Sequence, residues 1–503
     1  MISGIRTCTI ALSLIAATAI SIQLSAQDNS EKSNRQPRYK LIDLGTFGGP
    51  NSLIVSEPPQ FRLLNNQGTV VSTADTSTSD PYFPHCALFC FVDHAFQWQR
   101  GVLTDLGALP GVNSSIAFGT NELGMIAGLS ENGSIDPLTG FPEYDAVVWG
   151  HGTITNLGTF GGNISEALAV NDWGQVAGAA ANTIPDNYAT YLGPCVTLDC
   201  WPVATQYRAF RWQNGRKQDL GTLGGNDAAA TMINDLGMVA GVSYTDSTPN
   251  PTTGIPTMHP FLWVGGRMWD LGSLGGTLAW ANWLNLRGQA VGASKVAGDQ
   301  WDHPFLWSNV SMQDLGTLGG SGGIAYWIND LGAAVGFGNL QGDQAWHGVL
   351  WTAGKKTDLG TVDGDPCSFA FSINLKNQIV GSSGTCASDQ ALHAFLWENG
   401  TIYDLNALVP VSSDLTMVSA LNINDKGEIT GNAVLSNGDT HAFLAAPCEV
   451  DDPGGCQSTP ASEVTTHADS GPIMRLAEPG DPANQLRKRF GQHSDSGRPS
   501  VAP

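Results

Sequence analysis

Short apolar segments alternate with Gly-, Asn- and Asp-rich punctuation along this chain, and the segments recur in one fixed order across residues 39–446. In a representative copy, Ser165–Val170 leads into Asn171-Asp172-Trp173-Gly174, residue types that suit a tight hairpin turn. Residues 175–178 then predict a second strand. Residues 209–212 predict a third, with large side chains at Phe210 and Trp212, and residues 217–220 a fourth after the turn Gln213-Asn214-Gly215.

Three signatures mark the copies, and each occurs eight times. Asp-Leu-Gly or a variant starts at Asp43, Asp105, Asn156, Asp219, Asp270, Asp314, Asp358 and Asp404. Asn-x-x-Gly, ahead of a short apolar strand ending in Gly, starts at Asn65, Asn121, Asn171, Asn234, Asn285, Asn329, Asn374 and Asn424, with Asn377 replacing the Gly of the seventh copy. His-Ala-Phe-Leu-Trp or a variant starts at His94, Asp145, Arg208, His259, His303, His347, His393 and His441. Four antiparallel strands in about 50 residues match the blade of a β-propeller. The expected fold is therefore all-β: an eight-bladed propeller of four-stranded antiparallel blades. Another closed β assembly or a β-solenoid is the alternative.

The order of the strands adds a test of closure. The eighth copy stops after Phe443 and Leu444 without a fourth strand, while residues 39–44 form a spare fourth strand ahead of the first complete copy. Pairing of that N-terminal strand with the last repeat would leave no open edge.

Composition adds an address. Residues 1–26 read as a signal peptide, with Arg6 in a positive n-region, an apolar run over residues 10–22 and Leu24-Ser25-Ala26 before a cut at Gln27. Residues 27–38 form a linker, residues 39–446 the repeats, and residues 447–503 a Pro/Gly/Ser-rich tail expected to be disordered, with a short turn near residues 485–490. No later stretch reaches about 18 apolar residues, so no membrane insertion is expected, and the protein reads as exported, extracellular or periplasmic. Removing Arg6 with the leader gives 22 − 45 = −23. That balance argues against nucleic acid and anionic membranes as partners. Eight cysteines remain after Cys8, in local pairs: Cys86 with Cys90, Cys195 with Cys200, Cys367 with Cys386, and Cys448 with Cys456. Disulfides are favoured over zinc, because no His sits at ligand spacing beside any pair. No metal or other cofactor is expected.

The recurring Asp-Leu-Gly-Thr-Leu-Gly-Gly, Ile-Asn-Asp-x-Gly and His-Ala-Phe-Leu-Trp segments resemble the bacterial extracellular repeat, HAF family, whose tripeptide stands here at His94-Ala95-Phe96, His393-Ala394-Phe395 and His441-Ala442-Phe443. The resemblance covers roughly residues 39–446 and implies export and a repeat architecture; it brings no catalytic residue. Asp145, Arg208 and Gly348-Val349 depart from the pattern.

The repeated His residues read as hydrogen-bonding groups that fix each copy, since equivalent positions spread around a ring cannot share one ion. The repeated Asp caps a turn, and the third-strand tryptophans, Trp98 to Trp397, are core. The long connections between second and third strands in copies one to four point to one loop-bearing face. Trp269, Trp280, Trp283, Trp301, Trp327 and Trp346 crowd the fourth to sixth copies; Trp280, Trp283, Trp301, Trp327 and Trp346 are the ligand-binding candidates, with Asp299, Asp302 and Asp343 nearby. Flat aromatic faces beside polar groups suit sugars, and packing between neighbouring copies is the competing reading. No nucleophile elbow, phosphate loop or zinc motif is present, so no catalytic residue is named. A non-catalytic binding or interaction scaffold is expected, with carbohydrate or an extracellular protein as partner. The alternative is a propeller-based glycoside hydrolase or lyase.

Overall fold

The structure, a computed structural model, describes residues 36–448 and 456 apart from 56–60, 84, 87, 89, 194–200, 387–390 and 411–413. The described chain is all-β, organised as eight units of four antiparallel strands apart from two short 3-10 turns. Six units are separate four-stranded sheets, and the fourth and fifth are joined by a single parallel pairing, Met258 with Leu278.

Within a unit the strands follow sequence order, as the hairpin turns dictate. In the third unit Ser165–Val170, Val176–Pro185, Thr205–Gln213 and Arg216–Asp219 pair one after another. The second strand runs seven residues beyond the expected end at Gly178, and its burial changes from full to exposed along that extension. The insertions of the first four copies thus begin as prolonged hairpins that leave the sheet, where both faces are wet and Thr, Ser and Asn replace apolar residues. Gly178 itself is required by close approach. The first strand bulges between Ala167 and Ala169, and a Cβ added to Gly178 would lie 2.0 Å from the carbonyl oxygen of Glu166. Asn377 takes the left-handed turn position (φ 59°) that Gly fills in the other copies, as Asn can.

The spare strand, Tyr39–Asp43, pairs antiparallel with Thr440–Pro447, from Tyr39 opposite Pro447 to Asp43 opposite Phe443. That last strand runs to Pro447, one residue beyond the expected end of the repeats. Tyr39 and Leu41 are buried with Val380, Leu396, Leu405, Met417 and Phe443, so the strand also covers the seventh unit.

Two polar devices repeat. The first spans third and fourth strands: His Nδ1 meets the Asp of Asp-Leu-Gly at 2.8–3.0 Å in His94–Asp105, His259–Asp270, His303–Asp314 and His347–Asp358, and across the chain ends in His441–Asp43. The same Asp caps its turn; Asp270 Oδ1 accepts from the Gly272 amide at 2.7 Å. Partial burial opposes ionisation of Asp270, Asp314 and Asp358, but the His and Gly partners hold all three below the usual carboxylate range. The sequence departures keep the device: Arg208 pairs with Asp219, and Asn156 donates to Asp145 with the roles of the two strands exchanged. His393 instead takes Asp365.

The second device links units. Each signature Asn donates its side-chain amide to the backbone carbonyl of the Asn in the next unit, at 2.9–3.0 Å, from Asn65 to Asn121 and onward to Asn424. Asn424 then donates to the carbonyl of Asn65 at 2.9 Å. The side-chain oxygen of each Asn accepts amides of its own turn, as in Asn171 with Trp173 and Gln175.

Disulfides join Cys86 to Cys90, Cys367 to Cys386 and Cys448 to Cys456. Cys195 and Cys200 lie outside the described residues. The bridge at Cys367 ties the link that begins the seventh unit to that unit's second-to-third-strand loop, so these two connections share a face. No helix among the described residues is long and apolar enough to cross a membrane.

Candidate functional site

The ends of the first strands and the Asn-x-x-Gly turns of all eight units line one cavity of about 340 Å³, within the size range of small-ligand sites. Its wall is apolar: Phe61, Leu168, Met232, Trp283 and Trp327 contribute. Its rim is acidic, because the second turn residue is Glu122, Asp172, Asp235, Asp330 or Asp425 in five units.

Local hydrogen bonding fixes these acids. Glu122 N donates to Asp172 Oδ1 at 2.9 Å, Asp172 N to Asp235 Oδ1 at 2.9 Å, Leu286 N to Asp330 Oδ1 at 2.7 Å, and Leu375 N to Asp425 Oδ1 at 2.9 Å. Each of these four aspartates thereby uses one oxygen on the neighbouring turn, and Glu122 accepts the Asn66 amide with both of its oxygens. Asp425 Oδ2 takes Asn66 Nδ2, and Glu122 pairs with Arg62, the rim's one lining cation. In Asp172, Asp235 and Asp330 the second oxygen is available to a donor in the cavity.

Of the five candidate tryptophans, two reach this cavity. Trp283 and Trp327 stack on one another, ring centroids 3.5 Å apart and planes at 17°, and each is also packed against a neighbouring core cluster while contributing to the cavity lining. The remaining three do not line it. Trp280 is half-buried against the large core cluster, Trp346 lies 5.8 Å from Phe369, and Trp301 sits exposed in a loop with its carbonyl bonded to the Val296 amide. The nearby acids are turned to the protein: Asp299 accepts from the Thr277 amide, Asp343 from the Ser321 amide, and Asp302 from Lys295 Nζ.

Sequence reasoning offered the loop-bearing face for a binding scaffold and that face or an axial channel for an enzyme; the cavity lies among the hairpin turns. The available signal was the acid at turn position two. It read as ordinary turn chemistry because the convergence of the turns is a property of the assembled units.

Other perturbed carboxyls lie outside the cavity. Burial pushes Glu131 up to about 7, with Ser114 N and Tyr144 Oη donating to it. Burial likewise raises Asp227 to about 7, although Tyr207 N donates to it. Asp93, fully buried beside Asp75, is pushed well above the usual range by desolvation and by that neighbouring carboxyl. Among the described residues, Asp363, His393 and Asp404 bring possible ligand atoms within 4.8 Å of one another; none lines the cavity.

Fold and site together define an all-β protein of four-stranded antiparallel sheets with an acidic, tryptophan-walled cavity. No family model matches the chain, and no curated protein matches it either. Among solved structures it is similar to a puromycin-hydrolyzing peptidase of Mycobacterium tuberculosis, at 13% identity and TM-score 0.40, over 80% of this chain and 61% of that one. It is also similar to dipeptidyl peptidase 4 of Porphyromonas gingivalis, at 10% identity and TM-score 0.39, over 75% of this chain and 57% of that one. A third is Trypanosoma rangeli sialidase, at 12% identity and TM-score 0.30, over 82% of this chain and 58% of that one. The chain thus spans less than two thirds of each, and no activity is carried over from them.

Proposed function

We propose that this chain is an exported, non-catalytic binding protein of the HAF extracellular repeat kind, an eight-bladed β-propeller whose axial cavity receives a sugar or amino sugar. Closure is supported by the pairing of Tyr39–Asp43 with the last unit and by the return of the Asn series to Asn65. Export is supported by the leader-like residues 1–26 and by three disulfides.

The observation that carries the binding reading is the combination, in one cavity lining, of the Trp283–Trp327 pair with the carboxylates of Asp172, Asp235 and Asp330, each of which spends one oxygen on a neighbouring turn amide. Hydroxyls and ammonium groups donate to such oxygens, and a pyranose ring packs its C–H face on indole. Cleavage of a glycosidic bond would also need a protonated acid beside the ligand. The acids that burial holds near neutrality, Glu131 and Asp227, do not line the cavity, so binding is favoured over turnover.

The test is a tryptophan-fluorescence titration with neutral, amino-sugar and uronic-acid oligosaccharides. Amino sugars should bind tightest and uronates weakest, and Asp235→Asn or Trp283→Ala should weaken binding about tenfold or more, about 1.4 kcal/mol. Equal or tighter uronate binding would refute the acidic-rim argument. Release of new reducing ends from a polysaccharide would replace it with the hydrolase reading.

A further inference from the structure

The hairpin-turn face carries more than the cavity. Turn position three of the second, third and fourth units is Leu123, Trp173 and Leu236, which are 77%, 71% and 66% exposed. The residue before each is Glu122, Asp172 or Asp235, and these three turns hold no basic residue. Trp173 Nε1 donates to the Asp235 carbonyl at 2.9 Å, which lays the indole across to the next turn while leaving most of its surface open. Three consecutive turns therefore present an arc in which large apolar side chains alternate with acids. Arg287, Lys376 and Lys426 interrupt that pattern in the fifth, seventh and eighth turns and Asn66-Gln67 in the first, while Asp330-Leu331 repeats it alone in the sixth, apart from the three consecutive turns. An arc of this kind is a contact surface without its partner.

One segment of the chain has the complementary chemistry. Leu486-Arg487-Lys488-Arg489-Phe490 holds the chain's one run of three consecutive basic residues, closed at both ends by large apolar side chains. The end of the last strand lies on the same face. Pro447 Cγ would stand 3.4 Å from a Cβ on Gly427, in the turn that contains Asp425. From Cys456, which is bridged to Cys448, 30 residues lead to Leu486. A tether of that length spans roughly 30 Å as a coil and about 100 Å at full extension, so the arc is within reach. Tethering also raises the local concentration of the segment to about the millimolar range, so modest contacts suffice to hold it.

We infer that the arc of Leu123, Trp173 and Leu236 is a docking surface for residues 486–490 of the same chain. Leu486 and Phe490 lie against the apolar side chains, and the three bases meet Glu122, Asp172 and Asp235, with a guanidinium placed to stack on the indole of Trp173. The inference does not rest on the sugar reading, because its test contains no sugar.

The test is limited trypsin cleavage of the full chain. Cleavage after Arg487, Lys488 and Arg489 is measured against cleavage after Arg475 in the same tail. Docking should depress the ratio about tenfold or more relative to Trp173→Ser/Leu236→Ser, whose tail is unaltered. A second variant, Asp172→Asn/Asp235→Asn, keeps the oxygens that accept turn amides and removes the charges; it should release the segment several-fold. Equal ratios in the native chain and both variants overturn the proposal, whatever the outcome of the sugar titration. Protection lost on dilution would place the segment on a second copy and overturn the intramolecular form.

Discussion

Replacing Leu41 with Ala probes the joint between the chain's two ends. Leu41 is 1% exposed and shares its cluster with Val380 and Leu396 of the seventh unit and Phe443 of the eighth, so its removal leaves a cavity between units. A buried Leu→Ala change costs about 2–5 kcal/mol, a large part of the roughly 5–15 kcal/mol by which domains are usually stable. If Tyr39–Asp43 completes the eighth unit, that loss appears locally, as easier opening of Thr440–Pro447 and Ile429–Leu435. Amide exchange of those strands, read by mass spectrometry, should accelerate about 30-fold or more, the factor equivalent to about 2 kcal/mol. Val102→Ala, on an exposed fourth-strand side chain, is the control and should change little. Faster exchange confined to the first strand, with Thr440–Pro447 still protected, would refute the reasoning: the last unit would then be complete without its fourth strand.

Three further outcomes are expected. Asn424→Ala removes one of the two donors to the carbonyl of Asn65 and orphans the turn amides of Lys426 and Glu428, which should cost about 1–3 kcal/mol in denaturant unfolding; no loss would mean that the Asn series is ornamental. Glu131 and Asp227 ionise near 7 when folded but near their ordinary 4.5 and 3.8 when unfolded, so the folded chain binds more protons between these values and stability falls as pH rises through that window. Glu131→Gln should remove part of that slope and raise the stability at pH 8 by up to the order of 3 kcal/mol, read as a higher melting temperature; an unchanged slope would show that Glu131 does not carry it. Asp270, Asp314 and Asp358 are shifted down, so their contribution is present above pH 3.8 and disappears as pH falls through their folded values; a His303→Ala/Asp314→Ala cycle should give a coupling below about 1 kcal/mol, since the pair is half exposed.

The strands, the turns and the exchanged N-terminal strand could be read from the sequence because each is specified locally: period-two apolar residues, Asn-Asp-x-Gly turns, and a fourth-strand motif stranded at the front of the chain. The His and Asp signatures were each assigned a structural role. Their mutual partnership was hidden by an 11-residue separation that only the hairpin register converts into contact. The Asn was read as a turn residue, which it is, through Oδ1. Its amide nitrogen acts on a carbonyl 44 to 63 residues further along the chain, and no local pattern announces that. The cavity was missed for the same reason. Glu122, Asp172, Asp235, Asp330 and Asp425 are scattered in sequence and become neighbours only when the turns converge, whereas the conspicuous crowd of Trp residues contributed two members out of five.

Every Asn in the inter-unit series gives one hydrogen bond forward and receives one from behind, and the series has no first or last member. Its arithmetic is indifferent to where the backbone happens to be cut. Thr440–Pro447 and Tyr39–Asp43 pair without a connecting turn, at a position where the first unit has only the two-residue turn Arg100-Gly101. A gene that joins Pro447 to Tyr39 and opens instead at Arg100-Gly101 would therefore encode the same bonds in rotated order. In the closed ring proposed above, the eight units would be equivalent positions at which the chain could be opened.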